Sequence, residues 1–282
     1  MPYKIYSPAK LNLGLQVIGY KDNKHLLNTI FTKINWFDII VLEITNNRKI
    51  TPLGLWSQTW QYQDDLIYKA ALSLQNYSQT KLGVSFSINK NIPIGAGLGG
   101  GSANAATTLY YLNILWKLFY PPSVLIDLAK LLGDDIAFFL YDYSCLYYNL
   151  KHYPLNLIKQ YFIIIVPKQP INTEQLFAQF HEQQYHFQQP LSTAKLYKDK
   201  DNDLLPTAMV MNNNIKTIID RAHKFGFNLF MTGSGSVLYL SYYNQELAKL
   251  HIKILAKILL GLYTSLKVVK SFEKIYIPCQ LI

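Results

Sequence analysis

A glycine-rich stretch, residues 95–102 with the sequence GAGLGGGS, carries the strongest chemical signal in the chain. Five of its first seven residues are glycine, which costs backbone entropy unless the main chain must come close to a partner. Successive main-chain N–H groups, together with the unpaired N–H groups of a following helix, can surround phosphate oxygens. Ser102 could cap that helix or donate its hydroxyl. The stretch therefore predicts a phosphate-binding loop.

Two common types of phosphate loop do not fit this stretch. Residues 95–100 match the pattern G-x-G-x-x-G, but a dinucleotide-binding fold also requires a strand that ends in an acid about 20 residues later. Here the chain continues instead as a long apolar helical segment that stops at Pro121 and Pro122. A Walker A loop is excluded as well, because Gly101 occupies the position of the required lysine. We therefore expect an ATP phosphate loop of another type.

Three further stretches contain side chains that could do chemistry. Lys10 and Asn12 lie on the same face of an alternating strand. Residues 133–136 place Asp134 and Asp135 directly after a glycine, and residues 232–236 form a small, hydroxyl-rich loop that could line a phosphate pocket. Each stretch also has a simpler structural interpretation: a lysine at a solvated edge, a helix cap and a hairpin turn. The residue types alone leave these alternatives open.

The elements that must position these residues in the first half alternate between strands and helices. Period-two alternation predicts the strands, and apolar residues at helical spacing predict the helices. Ser123 would cap the helix that follows the two prolines, and Gly133 would end it. The predicted strands are Lys4–Tyr6, Leu11–Ile18, Asp38–Thr45 and Val84–Ile88, and the predicted helices are Leu66–Tyr77, Ala103–Tyr120 and Ser123–Leu132.

The second half continues as a mixture of strands and helices. Thr173 would be the N-cap of a helix, with Glu174 favourable in its first turn. The order of elements suggests an α+β sandwich with a boundary near residues 150–160. The predicted strands are Tyr161–Val166, Phe227–Met231, Val237–Ser241 and Leu266–Lys270, and the further predicted helices are Asn213–Phe225 and Gln245–Leu260.

Composition bounds the class of protein. Half of the 282 residues are hydrophobic, which excludes a disordered chain, and no apolar stretch reaches the roughly 20 residues of a membrane span. The net charge of +10 is spread along the chain, which favours a solvated basic surface, or a cleft that attracts polyphosphates, over a nucleic-acid-binding patch. Cys145 and Cys279 are expected to be buried thiols. No leader segment is recognised, and we predict a cytoplasmic protein.

Four stretches, taken together and in this order, resemble the GHMP small-molecule kinases, the superfamily of galactokinase, homoserine kinase and mevalonate kinase. Within this superfamily the chain is most similar to the branch that phosphorylates a cytidine-diphosphate ester of methylerythritol in non-mevalonate isoprenoid biosynthesis. The stretches are SPAKLNL at Ser7–Leu13, PIGAGLGGGSANAAT at Pro93–Thr107, LGDDIAFF at Leu132–Phe139 and TGSGS at Thr232–Ser236.

The resemblance implies an α+β, two-domain GHMP kinase fold. Residues 1–155 would form a ribosomal protein S5 domain 2-like domain, and residues 156–282 would form a ferredoxin-like domain. The active site would lie in the cleft between them, where the γ-phosphoryl group of ATP, with Mg²⁺ on the nucleotide, is transferred to the 2-hydroxyl of the ester. No protein metal site is expected. The implied partner is a small molecule that carries a CDP group, without nucleic acid or membrane, and the chain would be a monomer or a weak homodimer.

The resemblance also assigns roles to individual residues. Asp135 would be the catalytic base, and Lys10 would keep it ionised and orient the acceptor hydroxyl. The implied ATP-binding residues are Asp65, Lys90, Pro93, Ile94, Gly95, Ala96, Gly97, Leu98, Gly99, Gly100, Gly101, Ser102 and Ala103. The implied acceptor-binding residues are Asn12, Lys24, His25, Thr173, Phe177, Thr232 and Gly233.

The chain departs from the family pattern at four positions. Lys24 replaces an aromatic residue that stacks on the cytosine, and Asp65 stands where the family commonly has Asn near the adenine. Asp134 and Ala137 stand where the family has Ala and Pro, and Asp134 is interpreted as a bystander or a helix cap. Two alternatives remain at this point. One is another GHMP kinase, for homoserine or a mevalonate-type alcohol, and the other is a non-catalytic basic nucleic-acid-binding protein on this fold.

Overall fold

The computed structural model describes residues 1–21, 24–56, 58–182, 189–272 and 280–281. Eight helices are present in these ranges besides two short 3-10 turns, and eleven strands. The strands are β1 Pro2–Lys21, β2 Lys24–Thr45, β3 Ile50–Pro52, β4 Gly83–Asn89, β5 Ser144–Tyr148, β6 Lys151–Leu155, β7 Tyr161–Pro167, β8 Phe230–Met231, β9 Leu238–Tyr242, β10 Tyr263–Phe272 and β11 Gln280–Leu281. The helices are α1 Leu66–Ser78, α2 Gly100–Leu115, α3 Pro122–Leu132, α4 Thr173–Glu182, α5 Thr193–Asp199, α6 Leu205–Met211, α7 Asn213–Lys224 and α8 Gln245–Ile258.

The long hairpin of β1 and β2 forms the centre of the molecule. The two strands pair antiparallel along their whole length, with shifts of register after Pro8, Asn12 and Val17. Residues 7–17 of β1 are buried without interruption, because elements cover both faces of this strand. A polar side chain in this segment therefore lies inside the protein rather than at a solvated edge.

Three apolar clusters hold the layers together. One contains residues from the first half only and packs α1, α2 and α3 against β2 and β4. A second lies mainly between α4, α6, α7 and α8 and the strands β7 and β9. The third joins the halves, since Leu11 and Leu13 belong to the same cluster as Phe162 and Ile164. The sheet is also continuous, because β10 pairs with β2 at Ser271 and Ile34.

The predicted mixed α+β architecture is confirmed, whereas several boundaries were wrong. The helix predicted over Ala103–Tyr120 begins at Gly100 and ends at Leu115, because Lys117 and Phe119 adopt left-handed φ values of 57° and 53°. The next helix begins at Pro122 with Pro121 at its N-cap, so Ser123 is not the cap. A proline at the first helical position is favoured by its fixed φ and its missing N–H.

Two predictions in the second half are also corrected. Thr173 is the first residue of α4 and not its cap, because the side chain of Asn172 accepts a hydrogen bond from the N–H of Gln175 at 3.0 Å. The strand predicted over Phe227–Met231 shortens to two residues. The N–H of Phe227 bonds to the carbonyl of Ala222 at 3.1 Å and thereby closes the end of α7 instead of joining the sheet.

Three further expectations concern the cysteines, membrane-spanning helices and the domain boundary. Cys145 is a buried free thiol, and burial raises its pKa; Cys279 lies outside the described residues. Within the described ranges, none of the helices has the length and apolar character needed to cross a membrane. The division between residues 155 and 156 falls in the segment between β6 and β7 and stays a prediction.

Candidate active site

Two cavities meet beside the glycine-rich loop. The first, here called the loop cavity, has a volume of about 570 Å³, and the second, here called the strand cavity, has a volume of about 380 Å³. The loop cavity is bordered by the glycine-rich loop and the start of α2, and the strand cavity by β1 and the start of β2. The residues that line both are Gly97, Gly99, Asp135, Thr173 and Ser234. The carboxylate of Asp135 can therefore contact a molecule in either cavity.

The glycines of the loop are required by its conformation and by its neighbours. Gly97 and Gly99 have φ values of +77° and +67°, which side chains rarely adopt. A Cβ atom on Gly97 would lie 2.6 Å from the carbonyl oxygen of Thr232. The N–H of Lys10 donates to the carbonyl of Leu98 at 2.9 Å. The loop is thus held against β1, with the N-terminal turn of α2 open toward the loop cavity.

A buried carboxylate that sequence reasoning missed fixes the base of this loop. Asp38 is fully buried, and its Oδ1 accepts hydrogen bonds from the N–H groups of Asn91 and Ile92, both at 2.8 Å. Its Oδ2 accepts from the ammonium of Lys90 and from the amide of Asn104. These partners lie 52 to 66 residues away in sequence, so no local pattern could reveal them. The charge of Lys90 is engaged by Asp38 although Lys90 also lines the loop cavity.

The wall of the loop cavity also contains an indole. Asp65 caps α1, since its Oδ1 accepts from the N–H of Ile67 at 2.8 Å. Its Oδ2 accepts from the indole N–H of Trp60 at 3.1 Å. Trp60 lines the loop cavity and was not predicted. Because both oxygens of Asp65 accept these hydrogen bonds, the carboxylate affects the cavity indirectly, by orienting the indole of Trp60.

The predicted nucleotide-binding residues are distributed around the loop cavity with one exception. Asp65, Lys90 and residues 93–102 line it. Ala103 is fully buried in α2 behind the cavity. Ser102 lies in the first turn of α2, whose N-cap is Gly99, so Ser102 is not the cap and its hydroxyl is available to the cavity.

Lys10 and Asp135 form an ion pair at the junction of the two cavities. The Lys10 Nζ lies 3.6 Å from the Asp135 Oδ2, and their side chains are 5% and 41% exposed. The ammonium also donates to Asn12 Oδ1 and lies 5.0 Å from the centre of the Phe31 ring. Burial lowers the pKa of Lys10, and the charge of Asp135 opposes this change. One side of the Asp135 carboxylate therefore contacts Lys10, and the other side is exposed to the two cavities.

Asn12 links the pair to the 232–236 loop. Its main-chain N–H donates to Thr232 Oγ1 at 2.8 Å, and its amide donates to Thr29 Oγ1 at 2.9 Å. A Cβ atom on Gly233 would lie 3.1 Å from Asn12 Oδ1. Thr232 is fully buried and supports β1 from behind, whereas Gly233 lines the strand cavity. The predicted acceptor residues that line the strand cavity are Asn12, Lys24, His25, Thr173, Phe177 and Gly233.

An aromatic group closes the far end of the strand cavity. The ring of His25 stacks on Phe177 with centroids 4.6 Å apart and an angle of 28° between the planes. Tyr20 and His181 also contact His25. Burial, and secondarily the nearby His181, lower the pKa of His25. Its Nε2 is buried and has no hydrogen-bond partner among the described residues, so a neutral imidazole is available to bond with a ligand.

Lys24 and Asp134 are joined across one edge of the strand cavity. The Lys24 Nζ lies 2.9 and 3.0 Å from the two carboxylate oxygens of Asp134. Asp134 is therefore not a helix cap, because the following short helix has Ile136 at its N-cap without a side-chain bond. At the junction itself, Thr173 Oγ1 and Ser234 Oγ lie 2.8 Å apart and connect α4 to the 232–236 loop.

Comparison with known proteins agrees with this fold. A family model described as the GHMP kinases N terminal domain matches residues 65–143. A crystal structure of 4-(cytidine 5'-diphospho)-2C-methyl-D-erythritol kinase superposes with a TM-score of 0.78 at 24% identity, covering 95% of this chain and 99% of that one. A homoserine kinase from Cytophaga hutchinsonii superposes with a TM-score of 0.70 at 16% identity, covering 97% and 95%. The fold is that of the GHMP kinases, and the chain is a member of this superfamily.

Relatives of known name define the family more narrowly. The 4-diphosphocytidyl-2-C-methyl-D-erythritol kinase of Acidovorax sp. (strain JS42) is 35% identical over 246 residues, which cover 84% of this chain and 86% of the relative. The enzyme of the same name from Vesicomyosocius okutanii is 32% identical over 253 residues, covering 87% and 88%. The chain belongs to the family of 4-diphosphocytidyl-2-C-methyl-D-erythritol kinases.

Proposed function

We propose that this protein transfers the γ-phosphoryl group of ATP to the 2-hydroxyl of 4-diphosphocytidyl-2-C-methyl-D-erythritol. The observation that carries the proposal is the position of Asp135, which lines both cavities. One cavity has the N–H groups of a glycine loop and a helix N-terminus, which suit phosphates. The other has an aromatic and imidazole surface, which suits a nucleobase. A donor nucleotide and a cytidine-linked acceptor would meet at the carboxylate.

The loop cavity offers the groups that an ATP donor requires. Its main-chain N–H groups would neutralise the phosphates, and Trp60 provides an aromatic surface for the adenine. The described residues contain no cluster of three His, Cys, Asp or Glu side chains suited to a metal ion. Mg²⁺ is compatible with this, because it is commonly held by one or two carboxylates together with substrate phosphates and water. The hydroxyl of Ser102, which lines the loop cavity, would be its protein neighbour, and the ion would offset phosphate charge.

The Asp135 carboxylate would act as the proton acceptor for the reaction. The acceptor oxygen forms a bond with the γ-phosphorus, the bond between that phosphorus and the β–γ bridging oxygen breaks, and ADP leaves. The hydroxyl proton moves to Asp135. Lys10, 3.6 Å away, holds the carboxylate in place before transfer. A positioned base of this kind contributes roughly 10²–10⁴ in rate, and alignment of the two substrates supplies a further part.

The aromatic end of the strand cavity would bind the cytosine. A base can lie against the His25 and Phe177 surface, and the unpartnered Nε2 of His25 can exchange a hydrogen bond with the base edge. Burial keeps the imidazole neutral by lowering its pKa. A neutral ring has one donor and one acceptor nitrogen, which suits a base edge carrying both kinds of group.

The direct test is ADP release by the purified protein with ATP, Mg²⁺ and candidate acceptors. We expect ADP release with the cytidine-diphosphate ester, no stimulation by homoserine or mevalonate, and inhibition by CMP competing with the ester. Phosphorus NMR of the product should show a new phosphomonoester on the methylerythritol unit. Absence of stimulation by the ester, or turnover with homoserine or mevalonate instead, would overturn the proposal.

A further inference from the structure

The Lys24–Asp134 ion pair lines the strand cavity, and its two members are the sequence neighbours of His25 and Asp135. Lys24 is the first residue of β2 and directly precedes His25, which belongs to the aromatic end. Asp134 directly precedes Asp135, which belongs to the junction with the loop cavity. The two side chains are 55% and 49% exposed. The pair thus connects the end suited to a base with the end suited to the reacting hydroxyl.

The acceptor in the proposed function places a diphosphate between these two ends. Its cytosine and its methylerythritol unit occupy the two ends, and the diphosphate links them. Among the described residues that line the strand cavity, Lys10 and Lys24 are the lysines, and Asp134 and Asp135 are the carboxylates. Lys10 is buried and engaged with Asn12 and Asp135. Lys24 is the lysine of this cavity whose ammonium is open to solvent.

We propose that Lys24 is a specificity residue that leaves Asp134 and binds the diphosphate of the incoming acceptor. This inference rests on the proposed function. An ion pair between two exposed side chains is weak, so Asp134 holds Lys24 in position without preventing it from binding a ligand. A lysine on its flexible stem can reach a phosphate as a point charge, and its hydrogen bonds to phosphate are charge-assisted. Asp134 competes with the ligand for Lys24 and keeps the unoccupied cavity neutral.

A purely structural role for the same pair makes a different prediction. If the pair only tied β2 to the loop that carries Asp135, removing either partner would loosen the same connection. Both substitutions would then weaken ligand binding alike. If Lys24 binds the diphosphate and Asp134 competes for it, removing Lys24 weakens the binding of a ligand with phosphates, whereas removing Asp134 tightens it. Neither substitution should matter for a nucleoside without phosphates.

The experiment measures the Kd of CDP and of cytidine by isothermal titration calorimetry. A saturating non-hydrolysable ATP analogue is present throughout, so that CDP cannot enter the loop cavity. The variants are Lys24→Ala, Lys24→Gln, Lys24→Arg and Asp134→Ala, and thermal unfolding verifies that each is folded. Lys130→Ala is the matched control, because Lys130 is 57% exposed and pairs with Asp127 at 3.5 Å on α3, away from the two cavities.

We expect Lys24→Ala and Lys24→Gln to weaken CDP binding about tenfold, the loss of one charge-assisted hydrogen bond, with cytidine binding unchanged. Lys24→Arg should retain most of the CDP affinity, Asp134→Ala should tighten CDP binding, and Lys130→Ala should change neither ligand. Equal weakening of CDP by Lys24→Ala and Asp134→Ala, or an equal loss of CDP and cytidine, would overturn the inference alone. A wild-type protein that binds neither ligand would overturn the proposed function, and this inference with it.

Discussion

Single residues in this site act through hydrogen-bonded partners. Asp38 accepts hydrogen bonds from Lys90, Asn104 and two main-chain N–H groups, and Asp65 orients Trp60, which lies five residues earlier in the chain. The role of Asp38 is not visible from the neighbouring sequence, because its partners lie 52 to 66 residues away and are brought together only by the fold. By contrast, the meeting of Lys10 and Asp135 could be predicted from the motifs of the resemblance, since each lies in a short stretch of characteristic composition.

Replacement of Asp38 is predicted to destabilise the whole protein. Asp38→Ala leaves the ammonium of Lys90, 13% exposed, without its carboxylate, and losing one partner of a buried pair costs about 3–5 kcal/mol. Asp127→Ala removes an exposed partner of Lys130 and should cost at most about 0.5 kcal/mol. Urea unfolding followed by circular dichroism compares the two variants. An Asp38→Ala protein as stable as Asp127→Ala would contradict the anchoring role.

At the scale of elements, the glycine-rich loop is placed by contacts on three sides. The N–H of Lys10 holds it to β1, Asp38 holds its approach from β4, and the 232–236 loop packs against Gly97. The loop and the helix after it were predictable, because glycine density and apolar spacing are local signals. The long β2, the cap of α4 and the short β8 were not, because they depend on pairing and helix-end contacts between distant residues.

Substitution of Gly97 tests the packing of this loop. Gly97→Ala introduces a Cβ 2.6 Å from the carbonyl oxygen of Thr232, in addition to the strain of its φ of +77°. Gly54 has the same φ with open space around it, so Gly54→Ala adds only the strain of about 1–2 kcal/mol. We expect Gly97→Ala to raise the KM for ATP at least tenfold and Gly54→Ala to leave it unchanged. Equal KM values for the two variants would show that close packing is not required.

At the scale of the whole molecule, one sheet and a shared apolar cluster join the two halves of the chain. The site uses residues from both halves: the main-chain N–H of Asn12 bonds to Thr232, 220 residues away. The overall α+β architecture was predictable from the order of periodic segments and from the family motifs. The continuity of the sheet through β10 and β2 could not be predicted, because local periodicity does not show which distant strands pair.

The whole fold should lose stability in acid through His152 on β6. Its imidazole lies among Phe31, Tyr141 and Tyr147, and burial lowers its pKa from 6.5 to about 4. The unfolded chain therefore binds more protons between pH 6.5 and 4, and the free energy of unfolding falls by about 2–3 kcal/mol as the pH falls through this window. His152→Phe should remove this part of the pH dependence, whereas His223→Gln, on the exposed side of α7, should not. An unchanged slope in His152→Phe would contradict this assignment.

In the proposed function, Asp135 at the junction of the two cavities takes the proton of the acceptor hydroxyl. The most direct measurement is the kcat of Asp135→Asn with the cytidine-diphosphate ester, together with the Kd values of an ATP analogue and of CDP. The amide keeps the size of the side chain but cannot accept the proton in the same way. We expect kcat to fall by at least about 10²-fold, with both Kd values close to wild type. A kcat near the wild-type value, with binding intact, would exclude Asp135 as the proton acceptor.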